Sequence, residues 1–131
     1  PSQTSVSNTN QRVMLVDNDT VVRALLKGIL EDSGYRVTLA HDSITAKNLL
    51  AKTPQGYQVL LVNMKLPQMD GLILMDDIRK INKNQPALLY DGERPTAKID
   101  VIHKHPFTDF IQKPFHKDEL LLAMTKLCVK A

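Results

Sequence analysis

A chain of 131 residues with 43% apolar and 24% charged residues suits one globular domain with a sizeable core and leaves little room for a second. Cys128 is the single cysteine, which excludes an intrachain disulfide and favours a reducing, cytoplasmic location; no apolar run approaches the roughly 18 residues of a membrane span. The net charge of +3 is spread over scattered lysines and arginines, so no block marks a face for nucleic acid or membrane.

Residues 1–11 (PSQTSVSNTNQ) are polar apart from Val6 and are expected to be a flexible linker or tail, with the globular domain over 12–131. RVMLVD at 12–17 is a short apolar run bounded by valines, a buried strand. Val21, Val22, Leu25, Leu26, Ile29 and Leu30 then recur at helical spacing over 20–33, with Asp19 or Thr20 as N-cap and Gly34 as the stop. YRVTLA at 35–40 predicts a second strand. Asp42 or Ser43 caps a helix to about Lys52, before Pro54. YQVLLVN at 57–63 predicts a third strand, and 70–82 a helix that begins on an acid, as the helix dipole favours. PALLYD at 86–91 is a fourth strand, 95–104 a weaker helix, TDFIQ at 108–112 a fifth strand, and 117–130 a last helix. Five alternating units of apolar strand and amphipathic helix predict an α/β fold with a parallel sheet covered on both faces. Sites in such sheets lie at the carboxyl ends of the strands, which singles out Asp17, Asn18, Asp19, Asn63, Asp91 and Lys113.

The first of these clusters, in VMLVDNDTVV at 13–22, fits two chemistries. In a haloacid-dehalogenase-type phosphatase, Asp17 would attack phosphate and Asp19 would handle protons. That chemistry needs a later acidic pair at a strand end for Mg²⁺, whereas Asp76 and Asp77 fall inside a predicted helix. A flavodoxin-like FMN site is disfavoured because DNDTVV has no glycine and begins with charge that repels phosphate.

Four stretches in order decide between them. VDND closes the first strand, LPQMDGL (66–72) follows the third, PALLYDG (86–92) forms the fourth, and FIQKPF (110–115) closes the fifth. From about Arg12 to Val129 the chain resembles the receiver domain of two-component response regulators, whose signatures are an acidic corner, M-P-x-M-D-G-L, and an aromatic and Lys-Pro-Phe near the end. The resemblance implies a doubly wound (βα)5, flavodoxin-like sandwich with a five-stranded parallel sheet in the order 2-1-3-4-5, and a signalling module and not an enzyme. It also implies roles by position. Asp17 and Asn18 match the two acids of the Mg²⁺ corner, and Asn63 the phospho-acceptor Asp. Asp91 matches the hydroxyl switch, Lys113 the pocket lysine and Phe110 the aromatic switch.

Three of these polar positions depart from the family pattern. An amide is no nucleophile toward phosphate, so Asn63 is not expected to accept a phosphoryl group. Asn18 removes a charge from a site for a hard cation, leaving Asp17 a weak candidate ligand. Asp91 sets a carboxylate against incoming phosphate. Lys113 is expected to pair with Asp91 or Asp17 and to hold the pocket in one state. The expectation is a degenerate pseudo-receiver of a response regulator or hybrid kinase, with no cofactor and with Mg²⁺ binding weak or lost. It would signal by phosphorylation-independent contact with a histidine kinase, an effector domain or a second receiver. A receiver regulated by a small ligand or by non-standard phosphorylation is the alternative.

Several residues have plainer readings. Asp19 is first a helix cap. His103 and His105 lack the partners of a metal site and are expected at the surface, and the five methionines are expected as core filler. The last helix is apolar on more than one side. Leu122 and Val129 form a second stripe, a candidate partner or homodimer surface together with the preceding helix.

Overall fold

In the computed structural model, residues 11–67, 69–93 and 98–130 are described, the side chains of Val129 and Lys130 excepted. Residues 1–10 of the expected tail and 95–97 of the expected fourth helix lie outside them, as does the side chain of Val129. Five strands and five helices alternate: β1 Arg12–Val16, α1 Thr20–Asp32, β2 Arg36–Ala40, α2 Ser43–Lys52, β3 Val59–Asn63, α3 Gly71–Ile81, β4 Ala87–Asp91, α4 Ile99–Lys104, β5 Thr108–Gln112 and α5 Lys117–Lys130. The strands form one parallel sheet in the order β2-β1-β3-β4-β5. The expected strands and helices are all present, with ends trimmed by a residue or two in most of them; α4 begins only at Ile99.

Local chemistry sets most boundaries. Asp19 caps α1 by accepting from the Val21 and Val22 N–H groups, Asp42 caps α2 through Thr45, and Asp70 caps α3 through Leu72. Gly34 ends α1 at φ 96°, a left-handed conformation that glycine adopts without steric cost. Gly71 answers a different demand. A Cβ there would come within 3.0 Å of the Asn63 carbonyl and 3.1 Å of the Met64 Cα, so only glycine lets the loop return against the end of β3.

Alternation along the strands sorts the core into two layers. Val13, Leu15, Val59, Leu61, Leu88 and Tyr90 face α1 and α5, where Leu26, Leu30, Leu120, Met124 and Leu127 cover them. Met14, Val16, Leu60, Val62, Ala87 and Leu89 face α2, α3 and α4. Each fully buried Leu, Val or Met contributes about 1.5–3 kcal/mol. Met14, Met64, Met75 and Met124 are buried and Met69 packs against the core, as expected of filler. His105 is a correction: it is half-buried, accepts from the Phe107 N–H, and is pushed down by desolvation and by nearby Arg79.

Candidate functional site

The same alternation builds the site. Val13, Leu15 and Asp17 point to the α1/α5 side, as do Leu61 and Asn63 on β3 and Leu88 and Tyr90 on β4. Val16 pairs with Val62 and Asn63 with Tyr90, so Asp17, Asn63 and Tyr90 form one row across the carboxyl edge of three neighbouring strands. Lys113 follows β5 two residues after Ile111, which pairs with Tyr90.

That row is closed by hydrogen bonds. Asp17 is fully buried. Its Oδ1 accepts from the Asp19 N–H at 2.9 Å and from the Asn63 amide at 3.3 Å. Its Oδ2 accepts from the Tyr90 hydroxyl. The Asp17 carbonyl accepts from the Arg23 guanidinium at 2.6 Å. Asn63 turns its own amide oxygen to the Lys65 N–H at 3.2 Å. A carboxylate at residue 63 would face Asp17 with no proton between them, a repulsion of about 5 kcal/mol at an effective dielectric of about 20. The amide replaces that repulsion with a hydrogen bond. Burial, and then the hydrogen bond to Asp17, push the Tyr90 phenol far above its ordinary range, so it stays a neutral donor.

Lys113 takes neither of its expected partners. Its Nζ lies 5.1 Å from the centre of the Tyr90 ring, a cation–π contact, and Phe115 meets the same ring edge-on at 6.3 Å between centroids. Asp91 sits one residue after Tyr90 and so on the opposite face of the sheet, out of line with Asp17. Its carboxylate accepts from the Gly92 N–H at 2.7 Å and lies 3.8 Å from Lys65 Nζ, which also reaches Glu93 at 3.6 Å. Strand alternation is the physical reason that the expected pairing with Lys113 fails.

The other sequence candidates separate. Asn18 is exposed, and Asp19 is an exposed helix cap whose carboxylate serves α1. Phe110 is half-buried against the α2/α3/α4 side of the core. Leu122 projects from α5 at 57% exposure. More exposed still are Val21 and Leu25 on α1, at 75% and 62%, which sequence spacing had assigned with the rest of that helix to its apolar stripe. Leu25 borders a groove of about 380 Å³ with Val22, Ile29, Pro114 and Phe115. Tyr90, Arg23 and Lys65 are absent from the sequence candidates. The available signal for Tyr90 was its place in an apolar strand, since a buried tyrosine normally needs a partner for its hydroxyl.

A 2-1-3-4-5 parallel sheet with polar side chains gathered at its carboxyl edge defines a doubly wound α/β domain whose site lies between strand ends and loops. Within that class, the family model of the response regulator receiver domain matches residues 13–125, and the chain belongs to this family. It is a receiver domain of two-component signal transduction. Over 116 residues, 88% of the chain, it is 28% identical to a putative NtrX-like response regulator of Rickettsia bellii and 29% identical to response regulator MprA of Mycobacterium avium. These matches span 24% and 50% of those proteins, so the chain corresponds to at most half of either. The non-phosphorylated receiver domain of HemR from Leptospira biflexa is 28% identical and superposes with a TM-score of 0.81, covering 90% of this chain and 94% of that one. Among the described residues, no helix is long and apolar enough to cross a membrane.

Proposed function

We propose that this receiver domain signals without accepting a phosphoryl group, as a pseudo-receiver whose pocket is held in one state. The observation that carries this is Asn63: at the motif position of the acceptor acid stands a carboxamide that donates to Asp17. A carboxamide offers no nucleophilic oxygen for an acyl phosphate. The residues present also fit Mg²⁺ poorly. Hard cations want several anionic oxygens, and here Asn18 and Asn63 are amides while both oxygens of Asp17 accept hydrogen bonds within the protein. Asp91, at the position of the hydroxyl switch, would repel a phosphoryl group, and Lys113 rests on Tyr90. Phe110, at the aromatic switch position, then has no charge change to report.

The output in this reading is contact with another protein: a histidine kinase, an effector domain or a second receiver. In this reading the domain comprises residues 12–131, residues 1–11 are a linker or tail, and the protein acts in the cytoplasm. Leu122 of α5 and Val101 of α4, both more than half exposed, support a homodimer or partner surface on the last two helices. The test is treatment of the protein with acetyl phosphate and Mg²⁺, followed by intact-mass analysis. No phosphoryl adduct is expected, and stoichiometric acyl phosphate on Asp17 or Asp91 would overturn the reading.

A further inference from the structure

We propose that Tyr90 is a built-in plug of the acidic corner: its hydroxyl takes the carboxylate oxygen of Asp17 that a divalent cation would need, and its ring seats Lys113. This inference rests on the pseudo-receiver reading and adds to it a residue outside the family's acidic, hydroxyl and lysine positions. One side chain thereby engages both charged groups of the row, Asp17 through its oxygen and Lys113 through its π face. Its position is over-determined. Tyr90 is fully buried, braced by Phe115, and fixed by strand pairing to Asn63 on one side and Ile111 on the other. The hydroxyl cannot swing aside without leaving a buried carboxylate oxygen short of a donor and disturbing the packing of the ring. A cation entering the corner must therefore displace a neutral donor that the fold already holds in place. Restoring acids at residues 18 and 63 would supply charge but would leave this obstacle standing.

Divalent-ion binding with Mn²⁺ as probe, measured by calorimetry on folded protein, separates charge from plug. The comparison is between Asn18→Asp/Asn63→Asp with Tyr90 in place and the same pair carrying Tyr90→Phe, which keeps the ring and its seat for Lys113 and removes only the hydroxyl. The phenylalanine variant is expected to bind Mn²⁺ about tenfold or more tightly, the equivalent of one hydrogen bond to a charged group. Equal affinity in the two proteins overturns the plug. Should the phenylalanine variant fail to fold, Tyr90→Met makes the same comparison with an adaptable apolar side chain. In the unaltered protein, Mn²⁺ is expected to leave the backbone amide signals of Asp17 and Asn63 unbroadened; selective broadening there also overturns the plug. Acyl phosphate formed on the unaltered protein would instead overturn the pseudo-receiver reading, so the two failures are distinguishable.

Discussion

The two ends of the sheet both bury polar side chains, and they spend them differently. At the amino end, Arg79 of α3 donates to the Gln85 carbonyl at 3.0 Å and to the Thr108 hydroxyl. Gln85 is itself fully buried and donates to the carbonyls of Tyr57 and Pro86, both at 3.1 Å. These side chains mostly saturate backbone groups where strands begin, although the buried Arg79 Nε–H has no hydrogen-bond partner among the described residues. Desolvation draws the Arg79 guanidinium down to about 10, against a pull from Asp76, so it remains a cation at neutral pH. At the carboxyl end, Asp17, Asn63, Tyr90 and Lys113 engage one another, side chain to side chain. Backbone geometry would survive many changes there, but the chemistry of the row would not. The contrast marks the carboxyl end as the candidate site without appeal to any relative.

The largest expected effect falls on the carboxyl end. Tyr90→Ala empties the space beneath Asp17 and removes its hydrogen bond, and should cost about 3–5 kcal/mol in urea-induced unfolding. A loss under about 1 kcal/mol would mean that the row is loosely packed and the contrast overstated. Arg79→Met tests the other end. Removing the donor shared by Gln85 and Thr108 should cost about 2 kcal/mol while leaving the amide spectrum around Asp17 unchanged. Shifts at Asp17 would show that the two ends are coupled.

A third expectation concerns pH. Burial raises the Asp70 carboxyl, but hydrogen bonds from Lys98 and from the Leu72 N–H outweigh it and hold the group below its ordinary range. Asp42 is held low chiefly by the Thr45 N–H. A depressed carboxyl contributes stability that is present above its unfolded value of about 3.9 and is lost as pH falls through the folded value. Urea midpoints should therefore drop below about pH 4, and Asp70→Asn should make that drop smaller. The smallest effect belongs to the flank of the site. Lys65 is largely exposed and meets Asp91 and Glu93 only at 3.8 and 3.6 Å, so Lys65→Ala should change stability by about 0.5 kcal/mol or less. A larger loss would place Asp91 among the groups that hold the pocket together.

Much of this was legible in residue order. Local patterns carried it: the Val/Leu runs, the helical spacing of Leu26 and Leu30, the caps Asp19 and Asp42, the acid Asp70 at the start of α3, and Gly34 after α1. The motif order also singled out Asp17 and Asn63, which the fold brings within 3.3 Å. The partner of Lys113 was not legible. Counting charges pairs it with an acid, yet alternation turns Asp91 to the other face and leaves an aromatic ring as the neighbour. The apolar surface of α1 escaped for a related reason. Helical spacing says which residues share a stripe, but tertiary packing decides how much of it is covered, and Val21 and Leu25 are left exposed.

The sequence by itself determined the class of fold, the succession of its elements and the presence of a carboxamide at residue 63, because each depends on residues near one another in the chain. Only the tertiary structure decided that Tyr90 closes the corner. Its meeting with Asp17 spans 73 positions and three strands, and it follows from strand order and register, which no local pattern carries.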